Sequence, residues 1–308
     1  MKLRIAIPDM ISPSYFPAIA AVELGFFRDA GLDASIELLG PVTATYEALR
    51  EGRLDYAGGA AHAPLYAFKD WAGCRLMCAL SQNMYWFLVL RADIQAERGD
   101  LTALRGLRIG AALGPVDGLT RMLRDAGLDP DRDVRIGRVP GALGPTASFG
   151  VMAAQALQEN RLDGFWANGM ACALVVKSGA GKLLVDARRG DGTPGSVDYT
   201  FPAMVTTQRT LEEKPQEVAA ATRAIVAAQL ALKKAPALAT AAAAAKNLFP
   251  PAETAMIAEL VRRDTPFYDA AISRQKIDAL NAFSKSLGLL THAPAYENLV
   301  PAICRAVW

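Results

Sequence analysis

Three segments of this chain occur twice, in the same order, about a hundred residues apart. Leu3-Arg4-Ile5-Ala6 returns as Leu107-Arg108-Ile109-Gly110, and Arg28-Asp29-Ala30-Gly31-Leu32-Asp33 returns unchanged as Arg124 to Asp129. Ala48-Leu49-Arg50-Glu51-Gly52-Arg53-Leu54-Asp55 returns as Ala156-Leu157-Gln158-Glu159-Asn160-Arg161-Leu162-Asp163. A period of that length is a domain, far longer than the repeat of a solenoid. The duplication therefore predicts two units of similar plan, and small ligands bind preferentially in clefts between such units.

Each unit reads as alternating strand and helix. Residues 3 to 8 form a strand pattern that ends at Asp9. A helix follows through Ala18 to Leu24, with Gly25 placed to stop it. Ala34 to Leu39 and Leu54 to Ala57 are the next strands, with a helix ending at Glu51 between them. Strand and helix in alternation signal a parallel sheet covered by helices. Leu76 to Leu80 is a buried strand, and Tyr85 to Leu90 is long and apolar enough to cross between lobes. The second unit runs through Leu107, Val134 to Ile136, Leu162 to Phe165 and Lys182 to Val185. Tyr199 to Thr206 is expected to cross back. From Thr210 onward the pattern is helical, opening on Thr210-Leu211-Glu212-Glu213 as a capping box, with breaks at Pro250-Pro251, Pro266 and Gly288. The expected fold class is α/β, as two doubly wound α/β lobes joined by two crossing strands. Lobe I comprises residues 1–88 plus 203–308, with the C-terminal helices covering it, and lobe II comprises residues 89–202.

Composition excludes several functions. The chain is 52% apolar and 21% charged, enough apolar residue for sizeable cores. Its net charge is +2 with no long basic run, so no nucleic acid is expected as a partner. No stretch approaches 18 uninterrupted apolar residues, so nothing is expected to span a membrane. Met1-Lys2 leads directly into a strand, and Phe16 to Phe27 carries Pro17 and Glu23, unlike a signal-peptide core. That leaves a cytoplasmic protein, or one whose leader has been removed. Cys74, Cys78, Cys172 and Cys304 lack companions at metal-ligand spacing, so buried thiols are expected and neither a metal nor another cofactor.

In open α/β sheets ligands sit beyond the carboxyl ends of the strands, which selects five loops. They are Asp9 to Tyr15, Gly58 to Pro64 with Gly59 and His62, Ser81 to Asn83 with Gln82, Gly114 to Gly118, and Trp166 to Met170 with Asn168. Ser12, Ser14 and Tyr15 stand at a helix start, where free backbone N–H groups favour an anion; each serine is read either as a ligand contact or as a helix cap. Gly114 and Asp117 mark the equivalent turn of the second unit. Asp9 and Asp117 are read either as partners for an amino or amidine group or as caps. His62 is read as a ligand contact, a bystander or a general base. Trp166 is read as a stacking surface for a planar ligand or as core packing. Asp55 and Asp163 end helix-to-strand turns and are read as structural. The selected loops hold no arginine, so recognition of an anion is expected to rest on backbone N–H and hydroxyl groups. No activated nucleophile or paired acid set is visible, so no catalytic residue is assigned.

Several stretches resemble the NMT1/THI5-like family, the group of solute receptors for nitrate, sulfonates, taurine and pyrimidines within the type II periplasmic binding proteins. They are Pro17 with Glu23-Leu24-Gly25-Phe26-Phe27 and Gly31-Leu32-Asp33, then Glu51 to Asp55 with Gly58-Gly59 and Pro64, then Arg161 to Trp166, and Phe201-Pro202. After Trp166 this chain carries Asn168-Gly169-Met170, where relatives often have an acidic residue and a proline. The resemblance implies a monomeric receptor that closes on a small organic molecule, anionic or planar heteroaromatic, and delivers it to the permease of an ABC importer. It implies a periplasmic location, with the cytoplasm as the alternative. The alternative function is an enzyme on the same frame, of the pyrimidine synthase or aromatic acid decarboxylase kind.

Overall fold

The computed structural model describes residues 2–139, 149–245 and 251–308. The chain divides into two compact units, Met1–Gln82 with Thr200–Trp308, and Asn83–Tyr199. The chain thus passes between units at Gln82–Asn83 and Tyr199–Thr200, where the sequence reading sets the passages at 88–89 and 202–203.

The first unit opens with β1 (Leu3–Ile7), α1 (Phe16–Glu23), α2 (Phe26–Asp29), β2 (Ala34–Leu38), α3 (Val42–Arg50), β3 (Tyr56–Ala60) and β4 (Cys74–Ala79). Gly25, at φ 86°, separates α1 from α2 in a left-handed conformation that suits glycine. The second unit holds β5 (Phe87–Arg91), β6 (Arg108–Ala111), α4 (Pro115–Asp125), β7 (Arg135–Gly137), α5 (Phe149–Gln158), β8 (Gly164–Ala167), α6 (Gly169–Lys177) and β9 (Gly181–Asp186). The chain returns to the first unit as β10 (Pro202–Thr207), followed by α7 (Gln208–Glu213), α8 (Pro215–Lys234), α9 (Leu238–Ala244), α10 (Pro251–Asp264), α11 (Arg274–Ser286), α12 (Tyr296–Leu299) and α13 (Ala302–Arg305).

The two sheets share one topology. Their orders are β2-β1-β3-β10-β4 and β7-β6-β8-β5-β9. In the first, β1 runs parallel to β2 and β3, while β10 runs antiparallel to β3 and β4. In the second, β6 runs parallel to β7 and β8, while β5 runs antiparallel to β8 and β9. Each of the two strands expected to cross is thus the antiparallel member of one sheet, the first strand laid down after a passage. Strands covered on both faces carry near-continuous apolar runs, as Phe87-Leu88-Val89-Leu90 does.

The helices after β10 pack on the first unit, with α8 against α1 and α2. One expected cap is displaced. Thr210 does not open a helix; Thr207 does, its side chain accepting from the Thr210 N–H at 3.0 Å, and α8 starts afresh at Pro215. Proline is tolerated at a helix start because its missing N–H would be unpaired there anyway. Pro266 falls in the 3-10 turn that follows α10, and Gly288 follows α11 at φ 73°. The break expected at Pro250 lies outside the described residues.

In the second unit Phe87, Val89, Leu157, Phe165 and Val175 belong to one buried cluster. Trp86 and Trp166 pack together separately, their ring centres 6.0 Å apart.

Candidate functional site

The carboxyl edge of the first sheet is formed by the ends of β1, β2, β3 and β4 and the start of β10, Pro202 lying opposite Ala60. Beyond β1, the Asp9 carboxylate accepts the Ile11 N–H at 3.0 Å and turns the chain. Ser12, Ser14 and Tyr15 are all buried. Tyr268 on the C-terminal segment donates its hydroxyl to the Pro13 carbonyl at 2.6 Å and clamps this loop. Neither serine caps α1, whose N-cap is Tyr15 and which has no side-chain cap. The Ser12 hydroxyl is buried and has no hydrogen-bond partner among the described residues.

Gly59 on β3 makes room for a side chain from α3. A Cβ at Gly59 would stand 2.7 Å from the Tyr46 hydroxyl, so only glycine lets that ring lie across the strand. The Tyr46 hydroxyl is also buried without a partner among the described residues. Burial raises its pKa well above the usual phenol value, with Tyr15 and Cys74 adding to the shift, so it stays protonated and able to donate. Beyond β3, the His62 ring is fully buried. Its Nδ1 lies 3.0 Å from Thr200 Oγ1, and it meets the Phe283 ring edge-on at 5.2 Å. Beyond β4, the Ser81 hydroxyl is a third buried group with no partner among the described residues. Gln82 holds the frame, its amide donating to the Asp269 and Ala271 carbonyls at 2.7 and 2.9 Å.

The equivalent edge of the second sheet carries the ends of β6, β7, β8 and β9 and the start of β5. Gly114, at φ 88°, is the N-cap of α4, and the helix begins at Pro115, so Asp117 lies in its first turn and not in a loop. Trp166 is fully buried and donates its indole N–H to the Pro115 carbonyl at 2.8 Å. Asn168 caps α6, its Oδ1 accepting the Met170 and Ala171 N–H groups at 3.0 and 3.3 Å.

The loop after β9, which is not among the five loops selected from the sequence, brings a buried arginine to this edge. Arg188 has a side chain 1% exposed, with its guanidinium carbon 4.6 Å above the Phe87 ring centre. The strand-end rule selects this loop too, and Arg188 to Ser196 is polar and glycine-rich in sequence. Tyr46 and Thr200 are the other residues at these edges that the sequence reading does not assign, while Ser81 falls in a loop it selects.

Among the described residues no group of three or more His, Cys, Asp or Glu side chains can hold a metal, and all four cysteines are buried and outside any disulfide. No described helix is long and apolar enough to cross a membrane.

No curated protein matches this sequence. Solved structures resemble it at low identity, and show the fold. A protein from Bordetella bronchiseptica RB50 superposes with a TM-score of 0.76 at 21% identity, over 99% of this chain and 96% of that one. The alkanesulfonate-binding protein SsuA from Xanthomonas axonopodis pv. citri, bound to MOPS, gives 0.72 at 16%, over 97% of each chain. The desulfurization enzyme DSZB, in a complex with biphenyl-2-sulfinic acid, gives 0.68 at 15%, over 99% and 98%. The two sheets and their helices follow the fold of these structures. The family model for NMT1/THI5-like proteins matches residues 12–239, most of the chain, and this protein belongs to that family.

Proposed function

We propose that this protein is a solute-binding receptor that takes up a small organic molecule at the carboxyl edges of its sheets and delivers it to the permease of an ABC importer. The observation that carries this reading is the set of three buried hydroxyls, Ser12, Tyr46 and Ser81, without partners among the described residues at one sheet edge. Buried polar groups are nearly always hydrogen-bonded in native proteins, so a cluster of orphans at the edge where this fold binds its ligands marks donors reserved for a solute. The solute class is an anionic or planar heteroaromatic molecule. The likeness to SsuA, an alkanesulfonate-binding protein, and to DSZB, with a sulfinic acid bound, supports trying oxidised sulfur compounds first as probes. Work outside the cytoplasm, as a monomer that closes its two units on the solute, completes the proposal.

The test is titration calorimetry of the purified protein with alkanesulfonates, arylsulfonates, carboxylates and pyrimidines, joined to small-angle scattering at saturation. A bound, chemically unchanged solute and a smaller radius of gyration are expected. Conversion of any solute to product would overturn the receptor reading in favour of an enzyme on this frame.

A further inference from the structure

We propose that the turn at Asp70 and Trp71 is a positioning device, which sets the roll of α11 and, through Phe283, fixes the orientation of the His62 ring. The inference rests on the receptor reading above only in taking the edge where His62 lies as the solute site.

Residues 61–73 connect β3 to β4, and His62 stands near the start of this loop. Near its end Asp70 and Trp71 have φ of 51° and 64°, two successive left-handed residues of which neither is glycine. One such residue is uncommon, and a side chain as bulky as tryptophan makes it an outlier. The conformation costs free energy and persists only where its surroundings over-determine it. Here the surroundings are α11 and the chain that follows it. Trp71 is buried and donates its indole N–H to Oδ1 of Asn281, itself buried, at 3.1 Å. The Asp70 carboxylate accepts the Thr291 and His292 N–H groups at 2.6 and 3.1 Å.

The geometry of α11 makes these contacts bear on the site. Asn281 and Phe283 are two residues apart in this helix. Each residue turns a helix by about 100°, so the two lie on nearly opposite sides. Trp71 holds one side, while the Phe283 ring on the other meets His62 edge-on, with ring centres 5.2 Å apart and planes at 83°. The two ends of one loop therefore grip one helix. Asp70 adds a hold beyond the helix end, past Gly288, so α11 cannot roll or slide without breaking a hydrogen bond. The His62 ring in turn is held by Phe283 and by Thr200, whose Oγ1 lies 3.0 Å from Nδ1. Aromatic rings prefer this edge-to-face arrangement, so a displaced Phe283 turns the imidazole with it.

The experiment reads the ring directly, by NMR of the full chain with isotope-labelled histidine. The chain holds two histidines, His62 and His292, and His292→Gln assigns the pair. No solute is needed. The native protein should show one set of His62 ring signals, displaced by the Phe283 ring current and cross-relaxing with that ring. Asn281→Ala and Asp70→Ala should shift the His62 ring signals and broaden or split them. Asp70→Asn keeps an acceptor oxygen and tolerates a left-handed backbone, so it should keep the native spectrum. Folded Asn281→Ala and Asp70→Ala proteins with unmoved His62 ring signals would overturn the proposal, whatever their melting temperatures.

A second measurement uses the native protein, so a variant that fails to fold does not blunt the test. Under rising urea, the Trp71 indole N–H should lose its protection from exchange together with the fixed His62 ring signals. A His62 ring set loose while the Trp71 N–H stays protected would overturn the proposal as well. An unmoved ring in the variants leaves the receptor reading standing. Turnover of a solute would overturn that reading and leave the ring measurement intact.

Discussion

Arg108 and Asp163 hold each other by backbone and side chain at once. The Arg108 N–H and Nε both donate to Asp163 Oδ2 at 2.9 Å, and one terminal nitrogen donates to Oδ1 at 2.8 Å. The other unit repeats the device, with the Arg4 N–H donating to Asp55 Oδ2 at 2.8 Å and the Arg4 guanidinium reaching the Gly52 carbonyl, as that of Arg108 reaches Asn160. These acids, read as structural from the repeat, tie the helix-to-strand turn to the first strand of each sheet.

This pairing gives stability a defined pH dependence. The Arg108 side chain lowers the pKa of Asp163 from 3.8 to about 2, against a smaller opposing effect of burial. A carboxyl group whose folded value lies below its unfolded value contributes stability above the unfolded value and loses it as pH falls through the folded one. The contribution, about 1 kcal/mol at neutral pH for a pair screened by solvent, should therefore fade between about pH 4 and pH 2. Asp163→Asn should flatten that part of the stability curve in denaturant titrations across pH. An unchanged curve would place the acid sensitivity elsewhere.

Removing an orphan hydroxyl should separate binding from folding. Ser12→Ala and Tyr46→Phe delete groups with no partner among the described residues, so the free protein should melt within a few degrees of the native one or higher. Affinity for the solute should drop about tenfold, or 1.4 kcal/mol. Calorimetry showing unchanged affinity for both variants would remove these hydroxyls from the site.

His62→Gln should also weaken binding about tenfold, the scale of one good hydrogen bond. Thr200→Val removes the hydroxyl that faces His62 Nδ1 and should have a smaller effect of the same sign, because it frees the ring to turn. Equal affinity in the His62→Gln protein would make the histidine a packing residue against Phe283.

At Gly59 the prediction is steric. A methyl group would meet the Tyr46 hydroxyl at 2.7 Å, so Gly59→Ala should push the ring aside and reduce affinity more than it reduces stability. Pairing it with Tyr46→Phe in a double-mutant cycle should show non-additive losses. Additive losses would mean the two act separately.

Trp166→Ala should destabilise the second unit by about 3–5 kcal/mol, the usual penalty for emptying the space of a buried aromatic ring. Trp166→Phe keeps most of the packing but removes the hydrogen bond to the Pro115 carbonyl, which should cost about 1 kcal/mol. If Trp166→Ala instead melts normally and loses solute affinity, the stacking reading of this ring holds.

The sequence alone determined the frame of this protein. Duplicated strand and helix patterns, each set by neighbours a few residues apart, led to two parallel-rich sheets and to the strand ends where a ligand binds, and Asn168 was found there because strand ends are local features. Tertiary structure alone decided what those edges contain. Whether Ser12 caps a helix or stands orphaned depends on which N–H groups the fold brings within 3 Å. The partner of His62 is Thr200, 138 residues away, delivered because β10 returns from the second unit to pair between β3 and β4. Tyr46 comes from a helix, across a glycine that opens space for it, and Arg188 becomes an edge residue because β9 runs parallel to β8. Strand pairing is a long-range choice, and burial follows from it, so which polar groups are enclosed and left to a ligand is settled only when the chain has folded.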